Sequence, residues 1–161
     1  MQFWRVEKEI FSATARTGEG ARRSGGRWNS PGLPAIYCGQ SLALSVLEIL
    51  VHAVTPEERS DPRVWFRLTS RGDIRTVRPT RLPKGWNDPV IHPETVAIGD
   101  SWLRGRKSVG LRVPSAVIPG EWNYILNPLH PQFQKLVRWS RPVVLDIDKR
   151  LIDGAPVLPW Q

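Results

Sequence analysis

The sequence contains one cysteine and three histidines among 161 residues. A single cysteine excludes an internal disulfide, and without a Cys/His cluster a structural zinc site has too few ligands. The cysteine, Cys38, lies within a predicted strand and is expected to pack there rather than to react. These absences predict a protein of a reducing compartment, the cytoplasm, without a bound metal ion.

Long apolar segments are also missing. The longest apolar run, residues 42–54, is too short to cross a bilayer and contains Glu48 and His52. The first residues lack the charged segment, apolar stretch and cleavage site of a signal peptide. We therefore expect a soluble protein without membrane contact.

Several familiar catalytic and nucleotide-binding motifs do not occur. No Gly-x-Gly-x-x-Gly follows a strand, and no Walker sequence, Gly-x-Ser-x-Gly elbow or His-Glu-x-x-His is present. These absences argue against a Rossmann dinucleotide site, a P-loop, an α/β-hydrolase and a zinc protease.

The chain has the size of one ordinary domain, residues 1–161, and an excess of positive charge. Its 23 Lys and Arg against 15 Asp and Glu give a formal net charge of +8. Such a charge attracts nucleic acid, an anionic small molecule or an acidic protein. The arginines are scattered along the sequence rather than gathered on one helix, so a nucleic-acid-binding module remains only an alternative.

The apolar pattern predicts five or six short strands and two or three helices in mixed order, which is an α+β fold. Strands are predicted at residues 3–6, 35–38, 64–68, 109–113 and 143–147, the last of them buried. Helices are predicted at residues 42–54 and from residue 98. Residues 12–26, rich in glycine and polar side chains, are expected to form a loop.

The helix predicted at residues 42–54 is apolar except for one narrow polar stripe. Ser41, a good N-cap, begins this stripe, and Ser45, Glu48 and His52 continue it. Such a stripe often simply faces solvent. Because the rest of this helix is so apolar, a second interpretation has equal weight: the helix is largely buried and its polar edge lines a cleft.

Glu48 has two chemically suitable neighbours in the sequence, Arg27 in the glycine-rich segment and Tyr37 in the next predicted strand. The three residue types suit a substrate with a phosphate and a sugar. Arginine holds the anion, the aromatic ring stacks on a flat group, and the carboxylate stabilises positive charge at an anomeric carbon. A good leaving group such as nicotinamidium needs no general acid, so one carboxylate can suffice.

Six segments spread over nearly the whole chain have an order and separation that a known family shares. They are residues 25–29, 36–37, 43–48, 99–102, 111–115 and 123–131. Together they resemble the RES domain, named for Arg, Glu and Ser. The resemblance implies a fold similar to that of ADP-ribosyltransferases and a toxin of a bacterial toxin–antitoxin pair, with an Xre-type antitoxin that covers the active site.

The resemblance also implies NAD as the substrate and assigns roles by matching position. Arg27 would contact phosphate or ribose, and Tyr37 would stack on nicotinamide. Glu48 would stabilise the oxocarbenium-like centre, and Ser115 would orient the ribose.

Arg5 and Asn127 fall in or near matching segments and are added as candidates for NAD binding. The Glu-x-Glu signature of many ADP-ribosyltransferases does not occur late in the chain. This favours cleavage of NAD by water or phosphate, with ADP-ribosyl transfer to a protein or nucleotide as the alternative. The choice of acceptor and the formation of homo-oligomers stay open.

Overall fold

One β-sheet organises the fold. The computed structural model describes residues 1–153, which contain eight strands. They are β1 (Gln2–Lys8), β2 (Ile36–Gly39), β3 (Arg63–Ser70), β4 (Ile74–Thr76), β5 (Gly110–Pro114), β6 (Trp122–Leu126), β7 (Val137–Trp139) and β8 (Val143–Leu145). The prediction of a single domain over residues 1–161 extends to residues 154–161, which lie outside the described residues.

The strands follow the order β4-β5-β6-β2-β1-β3-β7, and β8 pairs with β3 beside β7. The β4–β5 pair is parallel, whereas the other neighbours are antiparallel. The described residues also form six α-helices around this sheet: α1 (Glu19–Ser24), α2 (Leu42–His52), α3 (Pro56–Ser60), α4 (Pro93–Gly105), α5 (Phe133–Leu136) and α6 (Lys149–Asp153). Short 3₁₀ helices occupy Glu9–Thr14 and Pro79–Arg81. The predicted α+β class is confirmed.

Each face of the sheet carries an apolar cluster because side chains alternate along a strand. In β6, Tyr124 and Leu126 belong to the cluster that contains Phe3, and Ile125 belongs to the cluster that contains Trp102. The second cluster lies under α4 and carries the glycine-rich segment with Arg27.

Strand β6 was not predicted, although it joins the two halves of the sheet. Its pairing with β5 and β2 places Asn123 opposite Val113 and Gly39. The strand is short, and the polar residues and turn formers around it hide its alternation. The missed strand therefore contributes a polar side chain to the middle of the sheet.

The predicted loop at residues 12–26 is wrong, since it contains the end of a 3₁₀ helix and all of α1. Glu19 forms ion pairs with Arg22 and Arg23, three and four positions later, which stabilise a helix this short. Gly18 and Gly25 bound the helix at φ values of 72° and 71°, a region that favours glycine.

The predicted burial of the last strand is also wrong. Strand β8 lies at the edge of the sheet against β3, and Val144 is 73% exposed. An apolar run shows that a segment suits a strand, but it does not show whether another layer covers it.

Helix α2 begins as predicted, with the Ser41 Oγ accepting a hydrogen bond from the Leu44 N–H at 3.1 Å. The expectation that it is largely buried is wrong, because it packs on β1 and β2 through one side and Val51 is 60% exposed. Ser45 lies on the packed side, where its hydroxyl donates to the Trp4 carbonyl and accepts from the Gly39 N–H. None of the described helices has the length and apolar character needed to span a membrane.

Candidate functional site

The carboxylate of Glu48 is held by two side chains from the sheet. The Ser115 hydroxyl donates a hydrogen bond to Glu48 Oε1 at 2.8 Å. The Asn123 side-chain amide donates to the same oxygen at 2.5 Å. No hydrogen bond within residues 1–153 uses Oε2. One carboxylate oxygen is thus fixed, and the other is left for a ligand.

Ser115 follows the last residue of β5 and is buried. Its Oγ accepts hydrogen bonds from the N–H groups of Val117 at 3.1 Å and Ile118 at 3.0 Å. Because these two donors occupy the lone pairs of the hydroxyl, its proton is directed at Glu48. The geometry makes Ser115 a positioning group for Glu48, and its contact with ribose stays a prediction.

Arg27 is half-buried, and its guanidinium donates to two backbone carbonyls, those of Trp86 and Asp88. Burial lowers the pKa of Arg27, whereas attraction to the Glu48 carboxylate acts in the opposite direction. A guanidinium has five N–H donors, so those not used by the two carbonyls can bind an anion.

The segment that carries Arg27 is held in place by hydrogen bonds to the Tyr37 side chain. The Tyr37 hydroxyl donates to Asn29 Oδ1 at 2.7 Å and accepts from the Trp28 N–H at 3.1 Å. Burial is the largest cause that raises the pKa of Tyr37. Tyr37 as a whole residue is partly exposed. Tyr37 thus anchors the Arg27 segment, and stacking on nicotinamide stays a prediction.

Helix α4 fixes the same segment from the other side. The backbone of Gly99 lies so close to Trp28 that a Cβ atom at this position would stand 1.8 Å from the Trp28 carbonyl oxygen. The next residue, Asp100, accepts a hydrogen bond from the Ser30 N–H at 2.8 Å. A glycine inside a helix, next to an aspartate, is the sequence signal for this close approach.

The two remaining candidates have different surroundings. Arg5 donates to the Tyr37 carbonyl at 3.0 Å and forms an ion pair with Glu7, so it supports the strand that carries Tyr37. Asn127 is completely buried; its amide donates to the Leu103 carbonyl at 2.8 Å and its Oδ1 accepts from the Leu129 N–H at 3.0 Å. This placement does not support a direct contact between Asn127 and NAD, because the residue is completely buried and each polar atom has a partner within the protein.

Asn123 belongs to the site, although its role was not predicted from the sequence. Its only signal was its position in a segment shared with the RES domain. Because β6 was not predicted, nothing indicated that Asn123 would face Glu48. Within residues 1–153, no group of three or more His, Cys, Asp or Glu side chains is arranged to hold a metal ion. A site without metal nevertheless remains a prediction.

The family model of the RES domain matches residues 2–148 of this chain. The chain belongs to the RES domain family. The resemblance found in the sequence is therefore confirmed.

Curated relatives of this RES domain carry toxin names. Toxin Res of Photorhabdus laumondii is 36% identical over 152 residues, covering 94% of this chain and 97% of the relative. Toxin Res of Yersinia enterocolitica is 34% identical over 151 residues, covering 94% and 99%. The Prs ADP-ribosylating toxin of a Sphingobium species is 31% identical over 134 residues, covering 80% and 83%.

A solved structure shares the fold of this RES domain. A chain from the crystal structure of the M. tuberculosis MbcT–MbcA toxin–antitoxin complex superposes with a TM-score of 0.72 at 20% identity. The match covers 89% of this chain and 83% of that chain. At this identity the comparison supports the fold alone.

Proposed function

We propose that this RES domain is the toxin of a bacterial toxin–antitoxin pair and that it consumes NAD by cleaving the bond between nicotinamide and ribose. The observation that carries the proposal is the state of Glu48, one of whose oxygens is fixed by Ser115 and Asn123 while the other is free. The toxin names of the curated relatives support the first part.

Glu48 supplies the charge that the reaction requires. When the glycosidic bond breaks, its electron pair leaves with nicotinamide, and positive charge develops on the anomeric carbon and ring oxygen of the ribose. A preoriented carboxylate stabilises that charge without reorganising. Since nicotinamide leaves as a neutral molecule, no general acid is needed.

Arg27 supplies the binding charge. Its remaining N–H donors would bind the pyrophosphate or a ribose hydroxyl of NAD, because a guanidinium pairs well with phosphate oxygens. The net charge of +8 would also speed the approach of this anionic substrate. Water as the acceptor gives nicotinamide, ADP-ribose and a proton, whereas phosphate gives ADP-ribose 1″-phosphate.

Transfer of ADP-ribose to a macromolecule is the second candidate function. It is favoured by the relative named Prs ADP-ribosylating toxin. Transfer shares the bond cleavage with NAD breakdown and differs only in the acceptor. Incubation with NAD labelled in the adenosine part separates the two, since transfer leaves label on a macromolecule and breakdown releases it as ADP-ribose or its phosphate.

The proposed partner is an antitoxin, of Xre type by the resemblance, that covers the cleft beside Glu48. Leu47 and Val51, next to and one turn beyond Glu48 on α2, are exposed and provide apolar surface for such a partner. The toxin–antitoxin nature of the MbcT–MbcA complex supports this proposal.

Proton NMR of NAD incubated with the protein, with and without phosphate, tests the proposed reaction. Free nicotinamide together with ADP-ribose indicates hydrolysis, and a phosphorylated ADP-ribose that forms only with phosphate indicates phosphorolysis. Unchanged NAD under both conditions would contradict the proposal.

A further inference from the structure

A second concave surface lies at the edge of the sheet and shares no residue with the Glu48 site. It is a groove of about 620 Å³ between β4, the 3₁₀ helix Pro79–Arg81 and α4. Strand β4 ends the sheet, so it pairs with β5 on one side only. A volume of this size lies within the range of about 300–1,000 Å³ that is usual for small-molecule sites.

Three arginines, Arg75, Arg78 and Arg81, line the groove, and all three are exposed. In the part of the chain that the structure describes, no acidic residue lines it. Within residues 1–153, none of the three belongs to an ion pair, whereas Glu19 alone pairs with two arginines elsewhere. Three unpaired guanidinium groups around one groove favour an anionic ligand, because like charges repel until a counter-charge binds.

The floor of the groove is apolar. It is formed by Val77, Ile98, Trp102 and Leu111, of which Trp102 and Leu111 are buried. The indole N–H of Trp102 donates to Ser108 Oγ at 2.8 Å, so the small part of this buried ring that faces the groove is apolar. A free inorganic anion gains nothing from such a floor, whereas a ligand with a flat base or a sugar does.

We propose that this groove binds a nucleotide, with its phosphates on Arg75, Arg78 and Arg81 and its nucleoside part on the floor beside Trp102. The guanidinium groups provide bidentate donors for phosphate oxygens, and Ser101 adds a hydroxyl at the rim. This second site is independent of the reaction proposed for Glu48 and carries no catalytic group.

Calorimetric titration with ADP and with inorganic tripolyphosphate, at one fixed ionic strength, tests the proposal. The triple variant R75Q/R78Q/R81Q is expected to weaken ADP binding by about tenfold or more, because it removes the charged donors. The matched control R67Q/R138Q/R141Q removes the same charge from three other exposed arginines and should change the affinity by less than about twofold. The three single variants, R75Q, R78Q and R81Q, should each give part of the loss and extend the test if the triple variant does not fold.

Two further comparisons show where on the protein ADP binds. Because ADP carries the pyrophosphate of NAD, the variant R27Q removes any ADP bound beside Glu48, and binding at the groove should remain, since Arg27 does not line it. ADP should also bind more tightly than tripolyphosphate, since only ADP uses the floor. Three results would each overturn the proposal: equal losses of ADP affinity in the arginine triple variant and its control, complete loss of ADP binding in R27Q, or tripolyphosphate binding as tightly as ADP.

Discussion

The Ser115 hydroxyl and the Glu48 carboxylate meet at 2.8 Å, although 67 positions separate them in the chain. The contact exists because β5 and β2 both pair with β6, while α2 continues from β2 and packs beside the sheet. Ser115 itself is held by the Val117 and Ile118 N–H groups. The site therefore consists of a carboxylate on a helix and two fixed donors from the sheet.

Ser115→Ala should lower the kcat of NAD cleavage and leave the KM for NAD nearly unchanged. The substitution removes a hydrogen bond to a charged group, worth about 1.5–3 kcal/mol, so the expected loss is roughly 10- to 150-fold. Steady-state kinetics on the purified protein measure it. Ser24→Ala, at an exposed serine of α1, is the control. A rate for Ser115→Ala equal to that of the control would show that the hydrogen bond from Ser115 does not contribute to the function of Glu48.

Tyr37→Phe should destabilise the fold. The substitution keeps the ring but removes the hydroxyl that joins Asn29 to the Trp28 N–H, so about 1–3 kcal/mol of unfolding free energy should be lost. Urea unfolding gives the value. Tyr124→Phe is the matched control, because the Tyr124 hydroxyl makes no hydrogen bond within residues 1–153. Equal unfolding free energies for the two variants would disprove the anchoring role of Tyr37.

Gly99→Ala should separate α4 from the Arg27 segment. The added Cβ would collide with the Trp28 carbonyl, and overpacking of this kind costs about 1–3 kcal/mol. Gly105→Ala at the end of the same helix meets no atom within 4 Å and should leave stability unchanged or raise it. Thermal unfolding compares the two. Equal melting temperatures for the two variants would show that the close contact between Gly99 and Trp28 does not matter for stability.

Stability should fall at alkaline pH because of Cys38. Burial raises the pKa of its thiol from 9.0 to about 12. Between these values the unfolded chain loses a proton that the native state keeps. The free energy of unfolding therefore decreases by about 1.4 kcal/mol for each pH unit of increase. Below pH 9 the contribution of Cys38 to stability is fully present.

Urea unfolding at pH 8 and pH 10.5 measures this effect. Cys38→Ala should be less stable at pH 8, since it removes packed atoms, but its decline to pH 10.5 should be smaller by about 2 kcal/mol. Identical declines in the two proteins would contradict the assignment to Cys38. Tyr37, whose pKa is also raised, contributes in the same direction to both proteins.

Local patterns were sufficient for part of the fold. The alternation in β3, the N-cap of α2 and the apolar residues of β5 are short-range signals, and the predictions based on them are confirmed. Strand β6 and the exposure of α2 depend on which segments pack together, and no local pattern contains that information.

In the candidate site, too, some residues could be recognised from local sequence and others could not. Glu48 stood out because it is the one acidic residue on an apolar helix, and Arg27 because it lies among glycines. Asn123 could not be recognised, because its role depends on a strand register that brings it opposite Val113 and below α2. Asn127 matched by position in the sequence, but its surroundings are those of a buried structural amide.

The proposed reaction depends on Glu48, and the release of nicotinamide from NAD tests this dependence most directly. Proton NMR should follow this release with the unmodified protein, with Glu48→Gln, and with Glu9→Gln, an exposed glutamate on a 3₁₀ helix, as the control. Glutamine keeps the shape and removes the charge, so the rate should fall by about 10²-fold or more, while Glu9→Gln should match the unmodified protein. Release of nicotinamide by Glu48→Gln at the rate of the unmodified protein would contradict the role proposed for Glu48.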